Sequence, residues 1–156
     1  MKILGIDPGY GIVGFGLIEL AETDWEALDF GVITTDKGLD LPDRLVQIYE
    51  DICELIKEFK PNVIAIEELF FVQNVTTGIQ VAEARGVILL AAAQAGLSIY
   101  EYGPSEVKAA ITGYGKADKS QVQTMVQTIL ELKKKPQPDD AADALAVALT
   151  CGFNIV

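Results

Sequence analysis

The chain has 156 residues, half of them hydrophobic, which is enough for one well-buried core and too few for two ordinary domains. It carries no histidine, which removes Ser-His and Cys-His catalysis and the usual zinc sites and leaves carboxylates as the plentiful reactive groups. The net charge of −11 argues against a polyanionic partner only as an average, because residues 19–58 hold twelve acids and three bases while residues 72–138 hold five acids and seven bases.

In chain order, KILGID (residues 2–7) reads as a buried strand, followed by the Gly-rich turn PGYG and a second apolar strand over 12–18. Residues 24–35 read as a third strand, completing a meander. Leu45, Ile48, Tyr49, Ile52, Leu55, Ile56 and Phe59 keep helical spacing between Leu41 and Pro61, so an amphipathic helix is expected over 41–59. VIAIE (63–67) has almost no polar alternation, as a central strand covered on both faces should. A long apolar helix over about 75–95 and a strand over 97–102 follow. Pro104-Ser105-Glu106 starts a short helix, Asp118 caps another running to about Leu132, and PDDAADALAVAL opens the last. A meander followed by alternating helices and strands gives an α/β fold, a mixed five-stranded sheet with helices on both faces, in a single domain spanning 1–156.

Cys53 and Cys151 lie in apolar helical surroundings and read as free thiols. No uninterrupted apolar run approaches the ~20 residues of a membrane span, and the N-terminal residues begin a strand where a signal peptide would need a longer apolar region. A cytoplasmic protein with no membrane partner is expected.

Sites in such sheets form at strand ends, which directs attention to Asp7 and Glu67. Asp7 alone reads as an Asx turn into Pro8-Gly9. Glu67 and Glu68 fall on different faces by alternation, so one of them lies near the sheet interior or its rim and needs a partner. No base between Asp7 and Glu67 is placed to serve. Asp140 and Asp143 share a helix face at the i, i+3 spacing. If the two strands are neighbours, the last helix can bring these acids to Asp7 and Glu67. Each pair of like charges ~4 Å apart costs about 4 kcal/mol at an effective dielectric of about 20, so such a cluster must bind protons or a cation. All-oxygen ligands favour Mg²⁺ or Mn²⁺, and two such ions serve phosphodiester hydrolysis.

GIDPGYGIVGFG (5–16), AIEELFF (65–71), AEARGV (82–87), GYGKADKSQVQ (113–123) and PDDAADALAVAL (138–149) together resemble the RuvC family of Holliday-junction resolvases, in the same order and across nearly the whole chain. The resemblance implies an RNase H-like fold and a homodimer that nicks opposed strands of four-way junction DNA in recombination and repair, leaving 5′-phosphate and 3′-hydroxyl ends. It further implies a Mg²⁺ site of two ions, with Mn²⁺ able to substitute, formed by Asp7, Glu67, Asp140 and Asp143, and a branch-migration helicase complex as partner. Asp139 falls one residue before the matched position and is assigned to capping. Phe70 matches the family's base-stacking aromatic, set against a core Phe, with Phe71 adjacent and only one of the two expected to be exposed. Lys108, Lys116 and Lys119 resemble phosphate contacts, set against ordinary solvated lysines, while Arg85 either contacts DNA or bridges to an acid. The small-residued helix around it offers one face to the sheet and the other to a dimer partner.

Three other readings compete. A nuclease of the YqgF type acting on RNA would share the fold. An actin-like ATPase would share GIDPG but needs two lobes, which 156 residues cannot supply. A non-catalytic junction-binding scaffold would need no cluster of uncompensated acids.

Overall fold

Adjacent residues of each central strand face opposite sides of the sheet, and the core divides accordingly. The computed structural model describes residues 1–70 and 74–156. Its strands are β1 (Lys2–Asp7), β2 (Ile12–Ala21), β3 (Asp24–Thr34), β4 (Val63–Glu67) and β5 (Ser98–Tyr102). The helices are α1 (Leu41–Phe59), α2 (Val75–Gln94), α3 (Pro104–Thr112), α4 (Lys119–Ile129) and α5 (Asp139–Ile155). Ile3, Val63 and Ala65 pack with α5 residues such as Leu145 and Leu149. Leu4, Ile6, Ile64 and Ile66 pack with Ile48 and Ile52 of α1 and Ala84 and Ile88 of α2. That period of two is why VIAIE is apolar throughout: both faces are covered.

The strand order is β3-β2-β1-β4-β5. β1, β2 and β3 pair antiparallel, and β1, β4 and β5 parallel. The expected mixed sheet is therefore present, with β2 running three residues further than expected and α4 ending three residues sooner. Asp118 caps α4 through a reciprocal pair, accepting from the Gln121 amide while the Gln121 side chain accepts from the Asp118 amide, each at 2.8 Å.

Among the helices, α2 is the one whose composition invites a membrane reading. An 18-residue stretch within it reaches a mean hydropathy of 1.3, so the helix is long and apolar enough for a span by length and composition alone. Glu83 and Arg85 interrupt the run, which is why a search for uninterrupted apolar stretches passes over it. Ala84, Ile88, Ala91 and Ala92 are buried in the core shared with α1 and the sheet. Both cysteines are free thiols, Cys151 buried and Cys53 partly so.

Candidate active site

Parallel pairing of β1 and β4 runs from Ile3 opposite Val63 to Ile6 opposite Ile66, so the residues that follow, Asp7 and Glu67, leave the same end of the sheet side by side. Glu67 is half-buried and Glu68 exposed, as alternation requires.

The remaining acids arrive on α5, and glycines decide how closely. Gly14 pairs with Asp7 across β1 and β2. A Cβ added at Gly14 would stand 2.0 Å from the Asp140 carbonyl oxygen; at Gly5, 2.2 Å from that of Ala144; at Gly16, 2.8 Å from Leu145. Real side chains never approach so closely, so α5 lies directly on strand backbone. Its Ala-rich face is the complementary half of that contact, and it delivers Asp140 beside Asp7. A fourth contact, between Gly152 and the Trp25 indole, fixes the far end of α5.

Proximity is expressed in the acids' proton affinities. Burial, then the charges of Glu67, Asp143 and Asp140, push the Asp7 carboxyl up to about 8, with Lys119 opposing. Burial and Asp143 push Glu67 up to about 7, against Lys108 and Lys119. Burial also raises Asp143, against the hydrogen bond and charge of Lys119. Among the described residues no three acidic side chains are yet gathered in an arrangement that could hold a metal ion. The donor set is nonetheless all-oxygen, and its mutual repulsion suits a hard cation.

Lys119 is the feature that reading between Asp7 and Glu67 misses. Its ammonium is 2.9 Å from Asp143 Oδ2 and 3.6 Å from Asp139 Oδ2. Burial alone would lower its proton affinity, but Asp143, Asp139 and Asp140 outweigh this and raise it. The acids do have a cation nearby, supplied by the first residue of α4. The Asp118 cap places Lys119 in the first turn of α4, but only the packing of α4 against α5 brings it to Asp143. Lys119 and Lys108 line a cavity of about 220 Å³ together with Glu67 and Asp143.

Asp139 does not cap α5 as expected. Pro138 holds the N-cap position, and the Asp139 carboxylate accepts from the Gln123 amide at 2.9 Å. The carboxylates of the first turn still oppose the helix dipole, but Asp139 serves α4 rather than free N–H groups of α5. Arg85 bridges to an acid: its guanidinium pairs with Glu101 and donates to the Glu67 carbonyl at 3.2 Å. Phe70 is 60% exposed, on the outside of the core. Phe71 lies outside the described residues. Lys116 is exposed in the turn between α3 and α4.

An open mixed sheet that carries acids at adjacent strand ends, with a helix bringing more across it, is the RNase H-like frame of a nuclease. The family model described as "Crossover junction endodeoxyribonuclease RuvC" matches residues 3–151. The chain is 57% identical over 148 residues to the crossover junction endodeoxyribonuclease RuvC of Thermosipho melanesiensis, covering 95% of this chain and 94% of that one. It is 52% identical over 155 residues to that of Heliobacterium modesticaldum, covering 99% and 96%. The Thermus thermophilus RuvC, solved in complex with a Holliday junction substrate, superposes with a TM-score of 0.93 at 37% identity, covering 99% of this chain and 94% of that one. The yeast mitochondrial Holliday junction resolvase, at 16% identity and a TM-score of 0.66, shares the fold. The chain belongs to the RuvC family of crossover junction endodeoxyribonucleases.

Proposed function

We propose that this nuclease resolves four-way DNA junctions by paired symmetric nicks, with Asp7, Glu67, Asp140 and Asp143 as its metal-holding catalytic set and residues 1–156 acting as one domain of a homodimer. The observation that carries the reading is the parallel pairing of β1 and β4, which sets Asp7 beside Glu67, together with the seating of α5 on Gly14, which brings Asp140 to the same place; burial and the charges of the other three acids accordingly raise the Asp7 pKa. Acids that raise one another's proton affinity form a site at which a cation can replace the protons.

Nucleases of this family depend on metal ions. With oxygen donors only, we read the ion as Mg²⁺, two per site, with Mn²⁺ able to substitute. When bound, such ions make water acidic enough to attack at neutral pH and offset charge at the reacting phosphate.

The chain's own residues bind and orient the substrate. Lys108 and Lys119 border the cavity beside Glu67 and Asp143 and donate to non-bridging phosphate oxygens, holding the phosphodiester for in-line attack. Lys116 contacts an outer phosphate, and Phe70, being exposed, stacks on an unpaired base near the junction centre. Arg85, engaged by Glu101, orients the end of β4 through the Glu67 carbonyl and is left out of the DNA contacts. Hydrolysis breaks the bond from phosphorus to the 3′ oxygen. The hydroxyl of water goes to phosphorus and its proton to the leaving oxygen, giving 5′-phosphate and 3′-hydroxyl ends.

Val75, Ile79 and Leu90 form an exposed apolar stripe on α2, which supports the second copy that paired nicks require. A cytoplasmic location and a branch-migration helicase complex as partner complete the reading, on family resemblance. A mobile four-way junction incubated with Mg²⁺ tests it. Wild type should cut opposed strands at symmetric positions, while Asp7→Asn and Glu67→Gln bind the junction and cut at least ~10²-fold more slowly. A wild type that binds without nicking, or either variant cutting at the wild-type rate, would overturn it.

A further inference from the structure

The segment over 19–58 is the most acidic part of the chain, and its only bases are Lys37, Arg44 and Lys57. Two of these three border one cavity. About 630 Å³ in volume, it lies between the β1–β2 turn, the end of β3 and the first turns of α1, and no carboxylate lines it. Asp36, Asp40 and Asp43 are close in sequence, yet among the described residues neither Lys37 nor Arg44 forms an ion pair. Arg44 is held across the Tyr10 ring, 5.3 Å from its centroid. Its Nε is buried and finds no acceptor among the described residues. A guanidinium already desolvated at Nε, without a carboxylate partner and with its Nη2 toward the Gly11 turn, favours an anion on its terminal nitrogens.

The wall opposite is fixed. The Thr35 hydroxyl donates to the Tyr10 carbonyl at 2.7 Å, and the Thr35 amide donates to the Gly11 carbonyl at 3.0 Å. Gly11 has no Cβ to fill the space, and Arg44 Nη2 lies 3.8 Å from where one would stand. The turn thus leaves a cationic recess open, and it does so at the sheet end that carries Asp7. Tyr10 and Gly11 are three and four positions beyond Asp7, so their Cα atoms lie at most roughly 14 Å from its own, with the recess on the α1 face of the sheet end and the Asp7 side chain on the α5 face. A DNA strand advances about 3.4 Å along its axis per nucleotide, so an anion here falls within a few nucleotides of the reacting phosphate.

We propose that this recess is a second phosphate site, in which Lys37 and Arg44 hold a backbone phosphate of the cleaved strand a few nucleotides from the nick. The proposal rests on junction binding by the catalytic face, and its test separates the two. Junction affinity is measured against salt for wild type, Lys37→Gln, Arg44→Gln and Arg44→Lys. Each Gln variant should bind roughly 3- to 10-fold more weakly near 0.1 M salt and lower the slope of log K against log salt by about 1, while Arg44→Lys keeps most of the slope.

A loss of packing alone would weaken binding without changing the slope, and Lys37, exposed on a turn, keeps the test valid if Arg44 variants melt early. Junctions carrying one neutral methylphosphonate at successive positions then locate the contact. One position near the nick should weaken wild-type binding and leave Lys37→Gln unaffected. A wild type that binds and nicks while both Gln variants keep its affinity and slope would refute the recess and leave the nuclease reading intact. A wild type that does not bind junctions would remove both.

Discussion

The Lys119 ammonium stands 2.9 Å from Asp143 Oδ2, a cation seated beside the acids expected to hold metal. It lowers the proton affinity of Asp7, Glu67 and Asp143 alike. In metal-free protein, Lys119→Met should therefore shift all three carboxyl titrations to higher pH, read from side-chain carboxyl resonances. Cutting by the variant should likewise need more alkaline buffer. Unmoved midpoints would mean that the ammonium does not act on the cluster.

Stability without metal should fall as pH rises. Asp7 and Glu67 have folded-state pKa values of about 8 and about 7, above the ordinary 3.8 and 4.5 of an unfolded chain. Between about pH 4 and about pH 8 the folded state therefore binds more protons than the unfolded one, and each step up in pH favours unfolding. Asp7→Asn removes its share, so near pH 8 it should be more stable than wild type by on the order of a few kcal/mol, with the gain vanishing toward pH 4. Melting curves across that range, with and without Mg²⁺, check the sign, since added Mg²⁺ should raise wild-type stability most at the alkaline end.

Gly14→Ala should be among the most damaging single-methyl changes in the chain. The new carbon would meet backbone, the Asp140 carbonyl at 2.0 Å, and neither strand nor helix can yield without moving the acids. A loss of at least about 2 kcal/mol is expected, with cutting impaired even below the melting temperature. Gly38→Ala, whose nearest neighbour is a side-chain oxygen at 3.4 Å, should stay within about 0.5 kcal/mol of wild type.

Asp139 and Asp140 should separate by function. Asp139 binds the Gln123 amide and stands 3.6 Å from Lys119, so Asp139→Asn keeps a hydrogen-bonding partner and should retain cutting to within about 3-fold. Asp140→Asn should lose at least ~10²-fold. Equal losses in parallel cleavage assays would show that both acids belong to the metal set.

Phe70→Ala should leave the melting temperature almost unchanged, because the ring is 60% exposed. Junction binding should weaken by the worth of one stacked base, about 1–3 kcal/mol. A large drop in melting temperature would instead assign the ring to the core.

The strands and α1 were legible because burial writes periods of two and 3.6 into sequence, and the adjacency of Asp7 and Glu67 followed once β1 and β4 were neighbours. The role of Gly5, Gly14 and Gly16 was not, since a glycine chosen for close approach looks like one chosen for a turn until the facing helix is known. Lys119 was invisible as a counter-ion for a related reason. It is 52 residues from Glu67 in sequence, and only the placement of α4 against α5 brings it to Asp143. Asp139 misled because an acid near a helix start is most often a cap, and here Pro138 had taken that position.

At Gly14, beside Asp7, α5 meets β2 main chain to main chain, the Asp140 carbonyl against the glycine, with no side chain between to act as an adjustable shim. The spacing between the two halves of the acid cluster is therefore set by peptide dimensions, which are the same in every protein. Ordinary drift in the hydrophobic residues elsewhere can loosen or tighten this enzyme as a whole while barely changing the gauge of its acid cluster.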